Sequence, residues 1–136
     1  MIQSKVIATI FAVAVFASSG CGPSGPDMGH VFGTVTYEGK PLPTGTVSFV
    51  PETEGQPMAF AQIQADGTYE AATKSFGKGV PVGNHRVMIT AMKDGGSGEG
   101  GSLIQLIPTR YGGDRMSGLK AEVQEGENQI DFQLEK

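Results

Sequence analysis

An all-β sandwich of about seven short antiparallel strands is the fold class this sequence predicts, and three observations predict it. From His30 onward, apolar residues recur with period two in one segment after another, and no helical period appears beyond residue 20. Glycines (21) and prolines (8) punctuate those segments at short intervals, the pattern of many strands joined by tight turns. The chain of 136 residues has one cysteine and no tryptophan. No intrachain disulfide can form, so two sheets must bury their apolar faces against each other.

The elements follow in order. Val31, Gly33, Val35 and Tyr37 share one face of the first strand, with Phe32, Thr34 and Thr36 on the other. Glu38-Gly39-Lys40-Pro41 is a turn, where glycine supplies positive φ and proline fixes φ. Thr46 to Val50 forms the next strand and stops at Pro51. Met58 to Gln64 alternates Ala59, Ala61 and Ile63 against Phe60, Gln62 and Gln64. Asp66-Gly67 signals a hairpin that returns through Thr68 to Ala71 with Tyr69 in phase. Pro81-Val82-Gly83-Asn84 turns into the longest run, His85 to Met92, with Val87, Ile89 and Ala91 facing one way.

Lys93 to Ser102 holds five glycines and no apolar side chain and reads as a loop. Leu103 to Ile107 is apolar up to Pro108, either a short edge strand or a packed loop segment. Residues 109–118 are irregular. Leu119, Ala121 and Val123 alternate, Glu125-Gly126-Glu127-Asn128 turns, and Ile130, Phe132 and Leu134 form a final strand.

The N-terminus reads differently. Lys5 is followed by twelve residues, Val6 to Ala17, with no charge and only Thr9 polar, and then by Ser18-Ser19-Gly20-Cys21. One positive charge, a 7–15-residue apolar run and small residues describe a secretory signal. A membrane-spanning helix needs ~20 apolar residues. The lone cysteine directly after the small residues resembles a bacterial lipoprotein signal, with Ser18 standing where such signals usually carry leucine. The resemblance implies cleavage between Gly20 and Cys21 and a diacylglyceryl group on the Cys21 thiol. The domain organisation is therefore a lipoprotein signal peptide, helical in form, at 1–20, a lipidated cysteine with a Gly/Pro tether at 21–29, and a β-sandwich domain at 30–136.

Removing residues 1–20 takes away one lysine and leaves 116 residues with a formal net charge of −5. That length suits one domain, which buries about two thirds of its unfolded surface. A mildly acidic chain has no basic stripe for DNA or RNA. Electrostatic attraction to anionic lipid is equally disfavoured, so membrane attachment depends on Cys21.

The string Val31-x-Gly33-x-Val35, continuing Gly39-Lys40-Pro41-Leu42-Pro43 and Val47-x-Phe49-x-Pro51, resembles the opening of a carboxypeptidase regulatory-like domain. Asp66-Gly67-Thr68-Tyr69 and Pro81-Val82-Gly83-Asn84-His85-Arg86-Val87 match the same family, His85 replacing its usual tyrosine. Ile107-Pro108-x-x-Tyr111 and Ser117-Gly118-Leu119 are similar to segments of small envelope lipoproteins of planctomycete type. The resemblance spans residues 30–134 and implies a seven-stranded transthyretin-like (prealbumin-like) sandwich.

The supply of catalytic groups is thin. His85 has the parity of Val87 and Ile89 and reads as a structural, hydrogen-bonded histidine; His30 begins a strand and reads as solvated. No Gly-x-Ser-x-Gly elbow, zinc spacing or calcium loop appears. The Gly95–Gly101 loop lacks the ending and helix of a phosphate loop. Glu52/Glu54, Asp94/Glu99 and Glu125/Glu127 read as solvated loop charges. No catalytic residue, metal ligand or cofactor is expected.

The best binding surface is residues 107–116, where Arg110, Tyr111 and Arg115 place an aromatic ring and two guanidinium groups on one irregular segment. The competing reading is that Tyr111 packs over an open end of the sandwich.

The expected function is that of a non-catalytic, lipid-anchored protein of the cell envelope. It would be extracytoplasmic on the inner or outer membrane and monomeric, with an envelope protein or polysaccharide as partner. The alternatives are a glycan-binding module, for which absent tryptophan is unfavourable, and a small enzyme on the same architecture. Among transthyretin-like relatives a hydroxyisourate hydrolase implies a C-terminal Tyr-Arg-Gly-Ser, whereas this chain ends Gln133-Leu134-Glu135-Lys136. Intradiol dioxygenases imply two tyrosines and two histidines on iron.

Overall fold

The computed structural model describes residues 20, 25–96, 98 and 100–136. The predicted signal helix and Cys21 lie outside the described residues, and Gly20 is exposed. In chain order the strands are β1 (Met28–Tyr37), β2 (Lys40–Pro41), β3 (Thr46–Pro51), β4 (Ala59–Gln62), β5 (Thr68–Glu70), β6 (Ala72–Thr73) and β7 (Gly77–Lys78). They continue with β8 (Val80–Pro81), β9 (Gly83–Thr90), β10 (Met92–Asp94) and β11 (Leu103–Gln105). A 3-10 turn at Thr109–Gly112 precedes β12 (Leu119–Val123), β13 (Gly126–Gln129) and β14 (Phe132–Leu134).

The fold is all-β, and its two main sheets pack as a sandwich. One sheet is antiparallel throughout, in the order β12-β9-β3-β4-β6-β7. The other is built around β1, which pairs antiparallel with β2, β5 and β8. The antiparallel expectation fails on the remaining side of β1, where β13 and β14 run parallel to it. The first and last strands of a chain can pair either way, because the whole fold lies between them. The predicted turn at 125–128 is accordingly corrected: Gly126–Gln129 is strand, aligned Gly29↔Gly126 to Phe32↔Gln129.

The alternation read from sequence is the alternation buried. Val31, Val35, Val47, Phe49, Val87 and Ile89 are fully inside, while Phe60, Gln62 and Thr90 face out. Phe49 of one sheet packs against Tyr69 and Phe132 of the other, with ring centroids 6.3 and 6.4 Å apart. Leu103 to Ile107 combines both predicted forms: β11 is an exposed edge pairing β10, and Ile107 is buried. β1 starts at Met28, two residues before the predicted boundary, because Met28 and Gly29 pair with Pro81 and Val80.

Two glycines are decisive. Glu38 and Gly39 both have positive φ (49° and 80°) between the paired residues Tyr37 and Lys40, the geometry of a two-residue hairpin turn. At Gly33 a Cβ would lie 2.0 Å from the Ile130 carbonyl oxygen, so only glycine lets β1 pass that close to the C-terminal segment.

Candidate functional site

On β1, residues alternate between the core and the outer face, so His30, Phe32 and Thr34 project outward. The register sets their neighbours: Phe32 lies between Glu70 of β5 and Gln129 of β13, His30 beside Glu127, and Thr34 beside Thr68. Gln62 and Gln64, approaching the β4–β5 turn, extend this face. Together they line an open depression of about 660 Å³.

At its end, His30 Nδ1 lies 2.7 Å from Glu127 Oε2 and Nε2 lies 3.3 Å from Glu70 Oε1. Lys78 Nζ reaches the same Glu70 oxygen at 3.1 Å. Lys78, Glu70, His30 and Glu127 thus alternate in sign across β7, β5, β1 and β13. An imidazole donates from both nitrogens only when protonated. The Glu127 hydrogen bond, with help from Glu70 and against the cost of burial, raises the His30 pKa above 6.5. Lys78 and then His30 hold the Glu70 carboxyl below its ordinary range. The His30 ring is 5.2 Å from that of Phe32, tilted 35°.

Glu127 is exposed and His30 partly so, as the sequence suggested, and the structure adds that His30 pairs with both Glu127 and Glu70. Glu127 was legible only as a loop charge because its partner lies 97 residues away across a parallel pairing that local pattern does not reveal. Among the described residues, no group of three or more His, Cys, Asp or Glu is arranged to hold a metal ion. The two glutamates sit against opposite nitrogens of the imidazole and do not converge on one point.

The predicted surface is divided. Tyr111 is buried, and its hydroxyl donates to the Glu135 carbonyl (3.1 Å) while accepting the Glu135 N–H (2.9 Å). Arg110 donates to the Tyr111 hydroxyl (3.1 Å) and to the Glu135 carbonyl (2.9 Å), its guanidinium 4.7 Å from the Tyr111 ring centroid. These two residues clasp the C-terminal strand. Arg115 is exposed and makes no hydrogen bond or ion pair among the described residues.

His85 faces inward from β9 and is 1% exposed. Its Nδ1 donates to the Gly83 carbonyl (3.1 Å), and its ring meets Phe49 edge-on. Burial pushes its pKa down, so the ring is neutral, and Nε2 has no partner among the described residues. His30 and His85 thus occupy different sheets, one facing out and one in.

No protein-family model matches the chain. No curated protein matches it either. Among solved structures it is similar to a DUF3823 family protein from Parabacteroides merdae, at 15% identity and a TM-score of 0.40. That match covers 82% of this chain and 47% of the other, so the chain spans about half that protein's length.

Proposed function

We propose that this chain is a lipid-anchored cell-envelope protein whose sandwich is a non-catalytic binding module, with the outer face of β1, β5 and β13 as its binding face. The observation that carries the anchor is the run Val6–Ala17 followed by Ser19-Gly20-Cys21, with no other cysteine in the chain. The fold is compatible with it. The Asp27 carbonyl already accepts the Val82 N–H at 2.8 Å, and six residue steps from Cys21 to Asp27 reach at most ~20–22 Å. A sandwich on so short a tether would ride close to the bilayer. No helix among the described residues is long and apolar enough to cross a membrane. Stable anchoring at ~0.8 kcal/mol per buried CH₂ requires more than one acyl chain.

The finer reading of the domain, a seven-stranded transthyretin-like sandwich of carboxypeptidase regulatory-like type, rests on the motifs. They fall where the backbone needs them: Gly33 at the close approach to Ile130, Asp66-Gly67 in the β4–β5 turn, Pro81-Val82-Gly83 leading into β9. Binding is favoured over catalysis because both ring nitrogens of His30, the imidazole at the depression, are already taken by Glu127 and Glu70.

The test is intact-mass analysis of the membrane-extracted protein with cell fractionation. A mature chain starting at Cys21 and carrying acyl chains is expected, and Cys21→Ser should release the protein from membranes. A membrane-bound Cys21→Ser protein, or a wild-type mass without lipid, overturns the anchor.

A further inference from the structure

We infer that the ligand of the β1–β5–β13 face is a neutral saccharide chain; this rests on that face being the binding surface. The charges argue for neutrality. Lys78, Glu70, His30 and Glu127 compensate one another pairwise while His30 is protonated, and the neighbouring Asp131 carboxylate is engaged by the Thr34 N–H (2.9 Å) and the Gln129 amide (3.4 Å). The other polar side chains lining the depression are uncharged: the amides of Gln62, Gln64 and Gln129 and the hydroxyls of Thr34 and Thr68, of which Thr68 already donates to Asp66 (2.6 Å) and Gln64 to the Gln62 carbonyl (3.4 Å).

Side-chain amides present donors and acceptors side by side, matching the hydroxyls of a sugar ring, each of which can both donate and accept. Phe32 lies at the centre of this polar set, half-buried and braced by the His30 ring. Its aromatic face offers the one apolar platform there, suited to the C–H face of a pyranose. The volume of about 660 Å³ falls within the ~300–1,000 Å³ of small-molecule sites.

An extended peptide cannot add a strand to β1 here, because β1 is hydrogen-bonded on both sides along this face, to β5 and to β13; strand addition would take the outer edge of β13 and not the depression itself. A polyanion would meet Glu70 and Glu127 first.

The full-length chain in phospholipid nanodiscs is titrated with cellohexaose, hexa-N-acetylchitohexaose and mannohexaose, with oligogalacturonate and hexalysine as charged controls. Saturation-transfer NMR detects contact and gives the dissociation constant. Transfer to at least one neutral hexasaccharide is expected. Phe32→Leu, which keeps an apolar side chain but removes the ring, should weaken that binding at least tenfold. Gln129→Ala should weaken it several-fold, and Lys120→Ala on the opposite sheet should leave it unchanged. No transfer to any neutral sugar, binding of charged probes alone, or binding indifferent to both Phe32→Leu and Gln129→Ala overturns the assignment. Absence of lipid on Cys21 would sink the anchor without touching this result. A correctly lipidated protein that ignores sugars would sink only the ligand.

Discussion

The hydroxyl of Tyr111 takes both backbone polar groups of Glu135, donating to its carbonyl and accepting its N–H, and a further N–H from Arg110. Its one donor and both acceptor sites are thereby used. Tyr111→Phe would leave the Glu135 N–H without that partner at the end of β14, while Arg110 still holds the Glu135 carbonyl. A loss of about 0.5–1.5 kcal/mol in unfolding free energy is expected, measured by denaturant titration. An unchanged midpoint would show that water substitutes fully for the hydroxyl.

The two histidines should titrate on opposite sides of 6.5. Glu127 and Glu70 raise His30, and burial lowers His85. The stability that His30 supplies is present below pH 6.5 and lost as pH climbs through its raised folded value. His85, neutral when folded, acts in reverse: its contribution is lost as pH falls below 6.5, where the unfolded state takes up the proton. NMR of the imidazole C–H signals checks this. Glu127→Gln should lower the His30 midpoint and leave His85 alone; coincident midpoints would contradict the bridged geometry.

Gly33→Ala should destabilise severely, by ~3 kcal/mol or more, because the new Cβ meets the Ile130 backbone and not a yielding side-chain end. The same Ile130 carbonyl accepts the Tyr69 hydroxyl, so displacing it breaks a second contact. Thermal unfolding measures the effect. A near-native midpoint would mean that β1 and the C-terminal segment separate easily.

Glu38→Gly should stabilise. A non-glycine residue in the left-handed region costs about 1–2 kcal/mol, and Glu38 sits there with φ of 49°. Glycine relieves that strain but loosens the unfolded chain, so a net gain of up to ~1 kcal/mol is expected from denaturant titration. A loss would indicate that the Glu38 side chain contributes more than its backbone costs.

The outward triplet Glu70, Phe32 and Gln129 shows where sequence reading stopped. Each lies on the face that alternation predicts for it, since Val31, Tyr69 and Phe132 mark the buried phase. Their proximity was not legible, because it depends on the antiparallel register of β1 with β5 and on its parallel register with β13 across nearly the whole chain. Tyr111 packs, as the competing reading had it, and the contacts it shares with Arg110 were not legible for the same reason. Their partner is the C-terminal backbone, and a backbone leaves no residue-type signal.

The sequence by itself determined the all-β class, the buried phase of the strands, the hairpin at Asp66-Gly67 and the expectation of an anchor at Cys21. These are local properties, written in period, turn chemistry and spacing. Only the tertiary structure decided that the first and last strands run parallel, that His30 bridges two carboxylates, and that Phe32 lies amid amides. Those depend on which distant strands become neighbours, and period two sets the face of a side chain while leaving its cross-strand partner open.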